Sequence, residues 1–85
     1  MERDPVRDLN NFLQGHPRGN LTPYFSWSLD KDGPDHQKIH YAIAKLNGTN
    51  IGSGQGFAIG NAKRDAATRA LQYLNSVRVE DLIWK

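Results

Sequence analysis

The chain has 85 residues, the size of one small domain, and it carries no cysteine, which excludes a disulfide framework and a thiolate zinc site. Its formal net charge of +2, from 11 Lys and Arg against 9 Asp and Glu, permits a polyanionic partner without requiring one. The histidines match no metal-ligand spacing and no apolar run is long enough for a membrane span, so we expect no metal, no cofactor and no membrane association.

The first predicted element is a helix over about residues 4–14. Asp4 is a favoured N-cap, and Pro5 suits the first helical position, where its missing N–H removes no hydrogen bond. Leu9 and Leu13 follow at helical spacing and form the side that is expected to face the core. A connector rich in glycine and proline comes next, and we expect it to end the helix.

Three strands are predicted after this connector, joined by two loops. Phe25, Trp27 and Leu29 alternate with polar residues, and such alternation is typical of a half-buried strand. The further elements are a loop over 31–37, a second strand over 38–46, a hairpin turn at Asn47-Gly48 and a third strand over about 49–55.

From Ala58 onward the apolar period changes to about 3.6, which predicts a second helix that ends near Asn75. Gly60 is a poor helix former, so we expect a ragged start there. The order α-β-β-β-α predicts an α+β domain of two layers, in which a three-stranded antiparallel sheet carries both helices on one face. The expected apolar stripe of the second helix consists of Ile59, Ala62, Ala66, Ala70, Leu71 and Leu74.

Four short motifs occur in a definite order and spacing over residues 4–75. They are Asp4-Pro5-Val6 with Leu9-Asn10, Gly33-Pro34-Asp35-His36, Gly54-Gln55-Gly56, and Ala66-Ala67 with Ala70-Leu71. Together they make the chain resemble the double-stranded-RNA-binding domain family. The resemblance implies a rigid α-β-β-β-α module that binds A-form RNA across two minor grooves and the phosphates between them, over about 16 base pairs.

The resemblance also implies three RNA-contacting regions. The residues that it assigns are Asn11 and Gln14 on helix one, Pro34, Asp35 and His36 in the first hairpin loop, and Lys63 near the start of helix two. Beside Lys63, we add Arg64 as a nearby charge and Asn61 as a polar side chain that can assist in RNA contact. Two lysines that the family places at the start of helix two are replaced here by Ile59 and Gly60. Fewer phosphate contacts should give modest affinity and a weaker dependence of binding on salt.

The sequence leaves two registers open for the second strand, because a slip of one residue exchanges its faces. The resemblance implies that the residues facing the helices are His40, Ala42, Ala44 and Leu46. Hydrophobicity alone favours burial of the other set, which consists of Ile39, Tyr41 and Ile43. We adopt the register of the family, since both hairpin lengths fit it, and this choice places Tyr41 and Ile43 on the outer face of the sheet.

The tail over residues 76–85 is too apolar for a solvated segment, and we expect it to dock on the domain over residues 4–75. Leu82, Ile83 and Trp84 are expected to fold over the outer face of the sheet, unless that face, or the tail itself, binds a protein partner. Truncation of the tail tests this expectation.

The function that the resemblance implies is binding of double-stranded RNA by an intracellular module, nuclear or cytoplasmic, of a larger RNA-processing or regulatory protein. The alternative is a module of the same fold that binds protein, with weak or no RNA binding. An enzyme is not expected, and neither is a small-molecule substrate. The sequence shows no convergent carboxylate pair, no nucleophile with its base and no phosphate-binding loop of the Walker type.

Overall fold

The computed structural model describes residues 4–17 and 19–84. Its elements in chain order are α1 (Pro5–Gln14), a short 3₁₀ turn (Thr22–Tyr24), β1 (Phe25–Asp32), β2 (Ile39–Leu46), β3 (Thr49–Gly56), α2 (Ile59–Ser76) and α3 (Val79–Ile83). The succession from α1 to α2 confirms the predicted α+β fold, and α3 is an additional helix in the tail. Within these described ranges, no helix is long and apolar enough to cross a membrane.

The sheet has the strand order β1-β2-β3, and both strand pairs are antiparallel. At the β2–β3 turn, Asn47 and Gly48 have φ angles of 51° and 82°, the left-handed pair that a two-residue hairpin turn requires. The hairpin predicted at this position is therefore confirmed. β1 is longer than predicted, because Lys31 and Asp32 pair with the first two residues of β2 instead of joining the loop.

α1 begins and packs as the sequence predicts. The backbone N–H of Val6 donates a hydrogen bond of 3.0 Å to Oδ1 of Asp4, and Pro5 occupies the first turn. Leu9 and Leu13 are fully buried in the main core cluster, which also contains residues of the sheet and of α2. Burial of each leucine contributes about 1.5–3 kcal/mol, so this pair determines which side of α1 faces the sheet.

The burial of β2 distinguishes between the two registers that the sequence allows. Ala42, Ala44 and Leu46 are all 0% exposed beneath the helices, which confirms the register implied by the resemblance. Tyr41 and Ile43 lie on the opposite, outer face of the sheet and remain partly exposed. Small side chains at the buried positions leave room for the helix above them.

α2 lies directly on the backbone of β3, and glycine makes this approach possible. An ideal Cβ at Gly52 would lie 2.5 Å from the carbonyl oxygen of Ala66, and a Cβ at Gly54 would lie 2.7 Å from that of Ala62. The helix also presents small side chains, since both alanines and Ala70 are fully buried. The backbones of helix and strand are therefore in van der Waals contact along this line.

The first turn of α2 departs from the predicted apolar stripe. Ile59, expected to face the core, is 45% exposed. Close contact with β3 begins two residues later, where an ideal Cβ at Gly56 would lie 2.9 Å from Cβ of Asn61. Ile59 therefore lines an open cleft beside Leu29 instead of entering the core. The N-cap residue is Ala58, which provides no side-chain hydrogen bond to the helix end. The start of α2 is thus stabilised by neither burial nor capping.

The tail packs on the helix side of the sheet, so the prediction that it folds over the outer face is wrong. Val79, the first residue of α3, is 4% exposed and belongs to the main core cluster. Leu82 and Ile83 pack against the same cluster, and Nδ2 of Asn47 donates a hydrogen bond of 2.9 Å to the carbonyl oxygen of Leu82. The core has an apolar end near the β2–β3 turn, and α3 covers it.

Trp84, also expected on the outer face, lies instead beside the C-terminal end of α1. The centroid of its ring is 6.2 Å from that of His16, which lies equally far from the ring of Phe12. The Nε2 atom of His16 is 3.9 Å from Oε1 of Glu80 in α3. The last helix therefore contacts both the core and the segment that follows α1.

Candidate nucleic-acid interface

The contact residues predicted on α1 lie on its exposed side. Asn11 and Gln14 are three positions apart, so their side chains are neighbours on one face of the helix. Both are exposed, while Leu9 and Leu13 hold the other side of α1 against the core. An amide both donates and accepts hydrogen bonds, which suits a ribose 2′-hydroxyl.

The β1–β2 loop contains a turn that only glycine can make. Gly33 has a φ of 104°, and an ideal Cβ there would lie 2.9 Å from the carbonyl oxygen of Gln37. The backbone N–H of Gln37 donates a hydrogen bond of 2.9 Å to the carbonyl oxygen of Pro34, which closes the loop. Pro34 and His36 are both exposed on this closed loop. The imidazole is thus presented to solvent from a short, bent segment.

Asp35, the anionic member of the predicted site, forms an ion pair that sequence reasoning missed. The Nζ atom of Lys38 lies 3.1 Å from Oδ1 of Asp35, whose side chain is 99% exposed. So exposed a pair contributes little to stability. Its effect is local, because a phosphate that approaches the loop meets a paired carboxylate and not an isolated negative charge.

The start of α2 offers unpaired backbone donors and two cations. Asn61 and Arg64 are exposed, and Lys63 is half-buried. The N–H groups of Asn61 and Ala62 each donate a 3.1 Å hydrogen bond to the carbonyl oxygen of Ala58, whereas those of the first two helical residues point out of the helix end. With no side-chain cap, this end is suited to an anion such as phosphate.

Lys63 contacts an aromatic ring to which no sequence motif points. Its Nζ atom lies 5.7 Å from the centroid of the Trp27 ring, within the range of a cation–π interaction. The sequence predicts Trp27 in a strand and Lys63 in a helix, but no local spacing connects residues of separate elements. Only the assembled fold brings this pair together.

The three predicted regions are distributed along a domain whose longest axis measures 45 Å. α1 packs near the β2–β3 turn, since its buried leucines share a cluster with Leu46. The β1–β2 loop is at the other end of the strands, eight residues or about 25 Å away. The start of α2 adjoins that loop end through a cleft lined by Leu29, His40 and Ile59. The loop and the start of α2 are therefore neighbours, and α1 lies apart from both.

A second concave surface extends from the outer face of the sheet around its β3 edge to α2. It is a cleft of about 590 Å³ whose side-chain lining includes Asp30, Tyr41, Ile43, Gln55, Asp65 and Arg69. Two contacts occupy the carboxylate of Asp65: Nε of Arg69 lies 3.5 Å from Oδ1, and the backbone N–H of Gln55 donates to Oδ2 at 3.4 Å. In the described part of the chain, no group of three or more His, Asp or Glu residues could hold a metal ion.

The chain is similar to known proteins over most of its length. The model of the family described as "Double-stranded RNA binding motif" matches residues 5–74. Among curated proteins, ribonuclease 3 of Heliobacterium modesticaldum (strain ATCC 51547 / Ice1) is 31% identical over 81 residues. This match covers 81% of the present chain and 33% of the ribonuclease, so the chain spans about a third of the length of that relative.

Proposed function

The chain belongs to the double-stranded RNA binding motif family, and from this premise we propose that it binds duplex RNA by shape, through contacts with phosphates and 2′-hydroxyls. The observation that carries the proposal is the loop at Gly33, whose left-handed turn leaves His36 exposed on a bent, closed segment. Such a segment suits the wide, shallow minor groove of A-form RNA. The proposed role is binding alone, with no chemical step performed by this chain.

Each region has its own part of the duplex in this proposal. α1 enters one minor groove with its two amides, the loop enters the next one, and the start of α2 meets the phosphates between them. The proposed contact residues are Asn11 and Gln14 from α1, Pro34, Asp35 and His36 from the loop, and Asn61, Lys63 and Arg64 from α2. Contacts with ribose and phosphate carry little information about base sequence, so little sequence preference is expected.

The affinity of this single module is expected to be modest. Ile59 and Gly60 stand where the family has lysines, which leaves Lys63 with Arg64 and the backbone N–H groups to meet phosphate. We propose that the chain serves as a binding module of a larger RNA-processing or regulatory protein that acts in the nucleus or cytoplasm. A second module in such a protein would raise the overall affinity through a high effective concentration.

The chain is expected to bind a duplex of about 20 base pairs of RNA more tightly than the same sequence as DNA, because only RNA presents 2′-hydroxyls and A-form grooves. His36→Ala is expected to weaken RNA binding roughly two- to tenfold, which corresponds to one hydrogen bond of about 0.5–1.5 kcal/mol. Fluorescence anisotropy at fixed salt measures both effects. Gln72→Ala, an exposed substitution in the second half of α2, is the control. Equal binding of RNA and DNA, or no binding, would overturn the proposal.

Lys63→Gln is expected to reduce the slope of log affinity against log salt by about 0.9, the value for one phosphate contact on B-DNA. The same titration is repeated at several salt concentrations. Lys45→Gln is a matched control, because it removes one positive charge from the outer face of the sheet, where Lys45 pairs with Ser26. If wild type and both variants share one slope, Lys63 makes no phosphate contact.

A second candidate function is protein binding through the outer face of the sheet. The cleft beside Tyr41 and Ile43 favours it, and so does the loss of the lysines at Ile59 and Gly60. α3 packs on the helix side, so within the described residues the tail leaves this cleft uncovered. If Ile43→Asp abolishes the function of the full protein while Lys63→Gln preserves it, protein binding replaces RNA binding as the conclusion.

A further inference from the structure

The half-buried side chain of Lys63 contacts the ring of Trp27, a residue of β1. We propose that Trp27 is a positioning residue for RNA binding, because its ring holds the ammonium group of Lys63 in place for a phosphate. This inference rests on the proposed function and adds to it a residue that does not itself touch RNA.

The ring of Trp27 is held rigidly by the residues around it. Its strand partner is Ala44, and the residue packs against the buried cluster formed by Ala42, Ala62 and Ala66. On the same face of β1, the ring of Phe25 meets it edge to face, with centroids 5.3 Å apart. Alanines on β2 and α2 leave the space that the indole fills, so its orientation is determined by packing.

The ammonium group of Lys63 lies over this ring without a competing anion. Its Nζ atom is 5.7 Å from the ring centroid. Among the described residues, the ion pairs join Lys38 to Asp35, Arg69 to Asp65 and His16 to Glu80, and none of them includes Lys63. A ring attracts a cation through its quadrupole and leaves the N–H donors available. The full positive charge of Lys63 therefore remains for a phosphate.

Holding this one lysine in place matters because the start of α2 has lost the two others. A free lysine side chain loses rotamer entropy when it is fixed on a ligand, and that loss weakens binding. Contact with Trp27 restricts the side chain before the duplex arrives, so less freedom remains to be lost. Arg64, the next residue, is exposed, and no described aromatic ring contacts it. The two neighbouring cations should therefore differ in their contributions to binding.

A double-mutant cycle on RNA affinity tests the inference. We expect Trp27→Leu to weaken duplex binding about two- to fivefold, the change that corresponds to an exposed cation–π contact of about 0.5–1 kcal/mol. In the Lys63→Gln background the same substitution is expected to have no further effect, because its target is gone. Tyr73→Leu is the matched control, since it removes another half-buried aromatic ring that packs against the core but lies ten residues, about 15 Å, along α2 from Lys63, and it should leave affinity unchanged.

The outcomes separate this inference from the function on which it rests. If Trp27→Leu weakens binding equally with Lys63 and with Gln at that position, Trp27 acts only through the fold and the inference is wrong. If the wild-type chain binds no duplex RNA, the proposed function itself fails. Should Trp27→Leu not fold, Trp27→Phe serves in the cycle. NMR of the free protein gives an independent check, because ring-current shifts of the Lys63 methylenes must disappear when the indole is replaced, and their absence in the wild type would contradict the contact.

Discussion

Gly54→Ala is expected to destabilise the domain by about 3 kcal/mol, at the upper end of what overpacking usually produces. The added methyl group would lie 2.6 Å from Cβ of Asp65 and 2.7 Å from the carbonyl oxygen of Ala62. Neither atom can move away unless α2 itself shifts. The carbonyl oxygen belongs to the backbone of the helix, and Cβ of Asp65 is bonded directly to that backbone. Since small domains are marginally stable, a loss of this size removes a large fraction of the free energy of unfolding. Urea denaturation followed by circular dichroism measures the change.

Gly60→Ala is the control for this prediction. An ideal Cβ at Gly60 meets no atom within 4 Å, so the same chemical change adds no clash. Alanine is a better helix former than glycine, so the free energy of unfolding should rise by up to about 1 kcal/mol. If both substitutions have the same effect, close contact between α2 and β3 does not limit the residue at position 54.

Truncation of the chain after Ser76 is expected to lower stability by about 3 kcal/mol. It removes Val79, which is 4% exposed in the main core, together with the packing of Leu82 and Ile83. Loss of buried aliphatic side chains that leaves a gap in a core costs about 2–5 kcal/mol. For a domain of this size the melting temperature should fall by roughly 10–20 °C, which differential scanning calorimetry measures.

Asp81→Ala tests whether this loss comes from the core and not merely from any change in α3. Asp81 is exposed in the same helix, so its replacement should alter the free energy of unfolding by at most about 0.5 kcal/mol. A truncated protein that melts at the wild-type temperature would mean that α3 does not stabilise the core. In the intact chain, a change in the fluorescence of Trp84 during heating would report the release of this residue from the end of α1.

Much of the fold follows from signals that neighbouring residues carry. The start of α1 is predictable because Asp4 caps a backbone N–H only two residues away. The β2–β3 turn is predictable because Asn47 and Gly48 readily adopt the left-handed angles that it needs. The register of β2 follows from the family motifs and not from hydrophobicity. Hydrophobicity favours burial of Tyr41 and Ile43, but the positions beneath α2 accommodate only alanine.

Contacts between distant segments were harder to predict. The apolar composition of the tail indicates docking, but it does not select between two apolar surfaces, and Val79 enters the core instead of covering the outer face. The exposure of Ile59 depends on where α2 first meets β3, which a helical period does not reveal. The pairing of Trp27 with Lys63 likewise requires both elements to be in place.

The backbone contact between α2 and β3 makes two properties independent that usually change together: the strength of binding and the dimensions of the binding surface. Because no side chain lies between helix and strand at the glycines, the distance from the helix start to the hairpin loop depends on peptide geometry and not on surface residues. Exchanges such as those at Ile59 and Gly60 can then alter how tightly a polyanion is held without altering the dimensions of the surface that meets it. Divergence can adjust binding strength in small steps, whereas a single methyl group at the contact destabilises the whole scaffold.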